Sequence, residues 1–125
     1  MAVRNPVTIN RRTTIEVQWS GLLNGDNGAG YQVPPFYYAT VTVRGTFGTG
    51  GSVTLKGTDF ADATAVTSWD ALHDSRGGTG STNALTFTAR GTNAIAEAPA
   101  MMAPHVTAGD GSTNLTVTIS FAAVP

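Results

Sequence analysis

His73, Asp74 and Ser75 follow one another, and together they are the residue types of a serine hydrolase. A triad needs its members to converge from separate elements, with the imidazole held between hydroxyl and carboxylate. Neighbours along one chain do not reach that geometry. Asp74 and Ser75 therefore read as the start of a turn that Gly77 and Gly78 complete. His73 and His105 are the only histidines. With Asp70 or Asp74 they offer imidazole and carboxylate ligands that suit zinc or manganese. No HxH or HExxH spacing supports such a site, and surface or rim histidines explain them as well. Asp59 with Asp62, and Asp26 with Asn24 and Asn27, offer oxygens to calcium. Neither stretch has the alternating acids of a calcium loop, and turn formation accounts for both. The expectation is a chain with no catalytic residue, no metal ligand and no cofactor, and so not an enzyme.

Recognition chemistry is the remaining class. A carbohydrate platform needs exposed aromatics, and Tyr31, Phe36, Tyr37 and Tyr38 are the cluster that offers them. Alternation puts Tyr37 and Tyr38 on opposite faces, so at least one faces water. The competing reading is core plus subunit interface, where Tyr is enriched. Arg4, Arg11 and Arg12 read as solvated, or as paired with acids on a partner. A formal net charge of −1 supplies no field that would draw the chain to nucleic acid or to an anionic membrane. Asn114-Leu115-Thr116 matches a glycosylation acceptor, but no secretory signal accompanies it.

The elements that must position these residues are strands. Charged residues make up only 12%, and polarity comes from Thr, Ser, Asn and Gly. Twenty threonines favour strands over helices, because a β-branched side chain loses rotamer freedom in a helix and fits a pleated surface. With 125 residues and no cysteine, one domain is expected, stabilised by packing or assembly rather than disulfides. The start lacks an apolar signal region, and no stretch of about 18 apolar residues is present to span a bilayer. A chain made soluble in the cytoplasm is expected.

In Tyr37 to Arg44 and again in Ser52 to Lys56, apolar and polar residues alternate as in half-buried strands. The short glycine-rich break between them predicts a hairpin. Thr13 to Trp19 reads as a strand, Ala84 to Ala89 as another with Leu85 and Phe87 inward, and Asn114 to Ala122 as the last. Met101 to Thr107 is expected to pair with that last strand, at a sheet edge because Pro104 cannot donate to a ladder. Ser68 to Leu72 reads as a short strand bringing Trp69 and Leu72 near the core, Thr58 to Thr67 as loop, and Arg90 to Ala98 as a helical turn or an irregular link. Residues 1–12 read as an extended arm, an edge strand or a segment lying on a neighbour, ahead of one domain at 13–125. Ser20 to Pro35, dense in Gly, Asn and Pro, reads as a long surface loop. Its Leu22, Leu23, Tyr31 and Val33 are expected to pack on a partner subunit or back on the sheet. Inward aromatics are expected at Trp19, Phe47, Trp69, Phe87 and Phe121. The class is an all-β, two-sheet antiparallel sandwich, jelly-roll-like in preference to immunoglobulin-like.

The order TVTVRGTF, GSVTLKGT, TSWDALHDSRGG, ALTFTARGTNAIAEAP and HVTAGDGSTNLTVTIS, spanning Thr40 to Phe121, resembles a group of small β-rich virion proteins of tailed bacteriophages. The most specific part is Trp69, Leu72 and Asp74 followed by Leu85-Thr86-Phe87-Thr88-Ala89. Residues 1–39 carry no part of the likeness, and Asp59 to Thr67 is longer and richer in Ala than the turn such proteins have there. The resemblance implies a structural virion component without enzymatic activity, a decoration or cement protein on the outside of the capsid shell. Its partners would then be the major capsid protein and copies of itself, and its place the virion, after synthesis in the host cytoplasm. Partner contacts are expected from Val3, Arg4, Val7 and Ile9 of the arm and from Leu22, Leu23, Tyr31, Val33, Phe36 and Tyr38. The alternative is a tail or fibre module that binds a host glycan through the aromatic cluster.

Overall fold

The computed structural model describes residues 2–11, 13–34, 37–59, 69–74 and 83–123. Every regular element among them is a strand: β1 (Val3–Arg4), β2 (Val7–Asn10), β3 (Thr14–Leu22), β4 (Asn27–Gly28), β5 (Tyr31–Gln32), β6 (Tyr37–Thr46), β7 (Ser52–Thr58), β8 (Asp70–Ala71), β9 (Thr86–Phe87), β10 (Gly91–Ala94), β11 (Met101–Ala108) and β12 (Asn114–Ala123). They form two packed sheets. One runs β10-β6-β12-β3-β2, the other β1-β4-β11-β7-β8, with β5 also on β11 and β9 on β7. The chain is a β-sandwich.

Alternation sets which residues fill the space between the layers. Val17, Trp19, Val41, Val43, Val117, Ile119 and Phe121 turn inward from the five-stranded sheet. Val53, Leu55, Leu85, Phe87, Met102 and Val106 meet them from the other. Trp19 is fully buried, and its indole N–H donates to the Ala29 carbonyl at 2.9 Å. That bond satisfies the one polar group the ring brings into the core. Gly28 makes room for the ring, since a Cβ there would lie 2.8 Å from it.

The expected hairpin does not form: β6 and β7 lie in different sheets. Each has its hydrogen-bonding edges taken by strands distant in sequence, β6 by β10 and β12, and β7 by β11, β8 and β9. Nor does β11 pair with β12, which lies between β6 and β3. Both connections, 47–51 and 109–113, leave one layer and enter the other, as a two-sheet sandwich requires. They sit side by side, because β6 pairs with β12 and β7 with β11. Asp110 Oδ2 accepts the Thr49 N–H at 2.8 Å, and the Thr113 hydroxyl donates to the Phe47 carbonyl at 2.7 Å. Thr49 and Ser112, donating to Asp110, hold its carboxyl well below the usual range.

Three further expectations change. Proline does not push β11 to an edge. The N–H of Val106 donates to Asp26 O on the β4 side, and alternation turns the nitrogen of Pro104 the same way. There its ring lies against Gly28 of β4, where the missing side chain leaves room for it. Residues 91–94 form a strand on β6, not a helical turn. Trp69 lies against His105, ring centroids 5.6 Å apart and half-buried, on the face of its sheet that points away from the core.

The outward face of the five-stranded sheet is lined with short hydroxyls. Thr40, Thr42, Thr92, Thr116, Thr118 and Ser120 alternate with the buried set. Gln18 donates to Thr118 at 3.2 Å, and the hydroxyls of Thr42 and Thr92 share a bond of 2.9 Å.

The crossing at 47–51 depends on glycine. A Cβ at Gly51 would strike the backbone carbonyl of Phe47, which has no flexible end to yield. Gly51→Ala is expected to cost about 1–3 kcal/mol in urea unfolding, as overpacking of a fixed contact does. Gly111→Ala, with open space around it, should stay within about 0.5 kcal/mol.

Candidate functional site

The first candidate is the arm. It is not free: β1 pairs in parallel with β4 and β2 antiparallel with β3, so residues 3–10 form edge strands of both sheets and close one side of the sandwich. Asn27 N–H donates to Ala2 O at 2.9 Å and Ala29 N–H to Arg4 O at 2.7 Å. The other contacts converge on one carboxylate. Asp26, 5% exposed, accepts the Leu23 N–H at 2.9 Å, the Ala2 N–H at 3.1 Å and Arg4 Nε at 3.0 Å. Burial works to raise its pKa, but the Leu23 amide, Arg4 and the Ala2 amide outweigh it and hold the group below its ordinary value. These same bonds occupy the oxygens that Asp26 would have offered to calcium.

The arm's main chain is engaged while its apolar side chains are wet. Val3 is 63% exposed, Val7 61% and Ile9 39%. Val7 and Ile9 stand opposite Gln18 and Glu16, which places both on the outward face. Leu23 and Tyr38 are exposed as well. Tyr38 is separated from Val7 and Ile9 by β3 and β12, so the exposed groups do not form one patch.

The remaining expected contact residues divide. Leu22 is fully buried, so of the two places expected for it, a partner surface or the chain's own sheet, it takes the second. The cause is a bulge: Leu22 faces Leu115 and Trp19 faces Val117, so β3 carries one residue more than β12. Gly21 takes the extra residue at φ 65°, and alternation shifts to turn Leu22 inward. The stretch from 20 to 34 is accordingly no single loop, since it holds the end of β3, β4 and β5. Tyr31 stacks on Phe121 with centroids 5.8 Å apart, and Val33 packs partly buried on the core. Both have gone back onto the sandwich. Phe36, Asp62, Ser75 and the turn expected at Gly77 and Gly78 lie outside the described residues.

The second candidate is an open cleft of about 470 Å³ beside β8, lined by Thr58, Asp59, Asp70, Leu72, His73 and Glu97 among others. Glu97 Oε2 lies 2.5 Å from His73 Nδ1, and its Oε1 accepts the His73 backbone N–H at 2.8 Å. A carboxylate on Nδ1 is how general bases are oriented. Asp59 and Asp70 make the described lining acidic. The bond also joins the layers, since Ala96 N–H donates to His73 O at 2.9 Å and Asp74 bridges to Ile95. Spacing gave no signal for Glu97, since it is 24 residues from its partner. Among the described residues, no group of three or more acid or histidine side chains is placed to hold a metal ion.

His105 has a different fate. It is 5% exposed, and burial followed by the charge of Lys56 lowers its pKa to about 4. The unfolded chain, with an ordinary histidine, then binds the extra proton between pH about 6.5 and 4 while the folded chain does not. Stability is complete above about 6.5 and falls as pH drops toward 4. The loss expected is roughly 3 kcal/mol, read as the difference in urea unfolding between pH 7.5 and 4, and His105→Phe should flatten that part of the profile. Compared with protein-family models, with curated proteins and with solved structures, the chain matches none.

Proposed function

We propose that the chain is a structural virion protein of a tailed bacteriophage, a decoration or cement protein that binds the outside of the capsid shell and stabilises it. The reading starts from the sequence resemblance across Thr40 to Phe121. The observation that carries it in the structure is the arm, with its main chain tied into both sheets and Val3, Val7 and Ile9 left in water. Apolar side chains held outward on a paired strand are suited to contact with another body. Copies set around a symmetry axis would repeat that contact, and weak contacts at repeated sites sum to firm attachment. The protein is then non-enzymatic, with the major capsid protein and its own copies as partners.

The glycan-binding alternative has less support. Of the aromatic cluster's described members, Tyr38 alone is exposed, while Tyr31 is stacked on Phe121. One ring does not make a platform.

The test is occupancy on purified particles. Deleting residues 1–10 should abolish incorporation while the remaining sandwich keeps its β-type circular dichroism. Val7→Ser with Ile9→Ser, which leaves the ladder in place, should reduce occupancy at least about tenfold if those side chains carry the contact. Normal occupancy of both variants would remove the proposal.

A further inference from the structure

We infer that residues 2–10 exchange between two copies of this chain, each arm seating on the partner's β3 edge and Asp26. The inference rests on the reading of the arm as an inter-subunit element, and it names what the arm binds. The seat is built rather than incidental. A carboxylate almost wholly buried takes both Ala2 N–H and Arg4 Nε, and the edges of β3 and β4 take the main chain on either side of Pro6.

Nothing in this seat depends on which chain supplies the arm. The arm contributes no side chain to the core, so its removal opens no cavity there. Every bond it makes is remade in full on an identical copy. The closed and exchanged forms differ only in the link between Asn10 and Thr14 and in effective concentration.

That link holds the arm weakly. Its closing contacts are the Arg11 N–H to Thr14 O bond of 2.8 Å and the exposed Arg11–Glu16 pair at 3.1 Å. An exposed pair contributes little. Residues 11–13 read Arg-Arg-Thr, with no glycine to ease a tight reversal and two like charges side by side.

The absence of cysteine allows a direct test. Ile9 and Glu16 are opposite each other on the outward face. An Ile9→Cys chain and a tagged Glu16→Cys chain, each checked by circular dichroism, are mixed in denaturant, refolded together over a range of concentrations and oxidised. Exchange predicts a disulfide-linked heterodimer whose yield rises with concentration and exceeds, by about tenfold or more, that of an Ile9→Cys and Thr92→Cys mixture. Thr92 lies on the far edge strand, so it reports collisions alone. A yield no greater than that control, or no heterodimer at any concentration, would overturn the inference. The assay uses purified protein without particles, so failed exchange leaves shell docking standing, and lost docking with intact exchange overturns only the latter.

Discussion

Two sheets stacked face to face need connections that leave one plane and enter the other, and here the clasp between 47–51 and 109–113 meets that need. Asp110 and Thr113 bind one crossing to the other through the Thr49 amide and the Phe47 carbonyl. Once these corners are joined, β6 can lie beside β12 and β7 beside β11 with their registers matched from the same end. The pairing that fills the core is thus set at its rim. The Thr49 and Ser112 donors hold the Asp110 carboxyl below its ordinary range, so this half of the clasp keeps its charge where free carboxylates begin to protonate.

The two open sides of the sandwich are closed by different means. On one side the arm runs from one sheet to the other, secured by Asp26. On the other, His73 and Glu97 join the end of β8 to the segment after β10. Each closure uses a carboxylate that accepts a backbone N–H together with a cationic or imidazole group. Such a carboxylate fixes position as well as charge, since the amide cannot rotate away.

Alternation was legible wherever a strand is long and has one wet face. Val41, Val43, Val117 and Ile119 are buried as their spacing implied, and so are Leu85 and Phe87. The pairing of strands was not legible, because a short glycine-rich break suits a hairpin and a layer crossing equally. Contacts with Asp110, sixty residues further on, decide between them. The inward turn of Leu22 has a local cause, the bulge at Gly21, which no period of two anticipates. Glu97 carries no signal in the sequence because its partner is remote. Pro104 sits inside a ladder because Gly28 on the neighbouring strand makes room for its ring, a pairing that the sequence does not display.

The outward face of the five-stranded sheet has a consequence for whatever meets it. Thr and Ser have short side chains with little rotamer freedom to lose, and neighbouring strands tether some of them further through Gln18–Thr118 and Thr42–Thr92. Among the described strand residues of this face, formal charge comes from Arg44 on β6 and from Glu16 on β3, which lie on either side of β12, and Glu16 is paired by Arg11. Attachment through such a surface would be governed by fit and dehydration, and would change little between dilute buffer and concentrated brine.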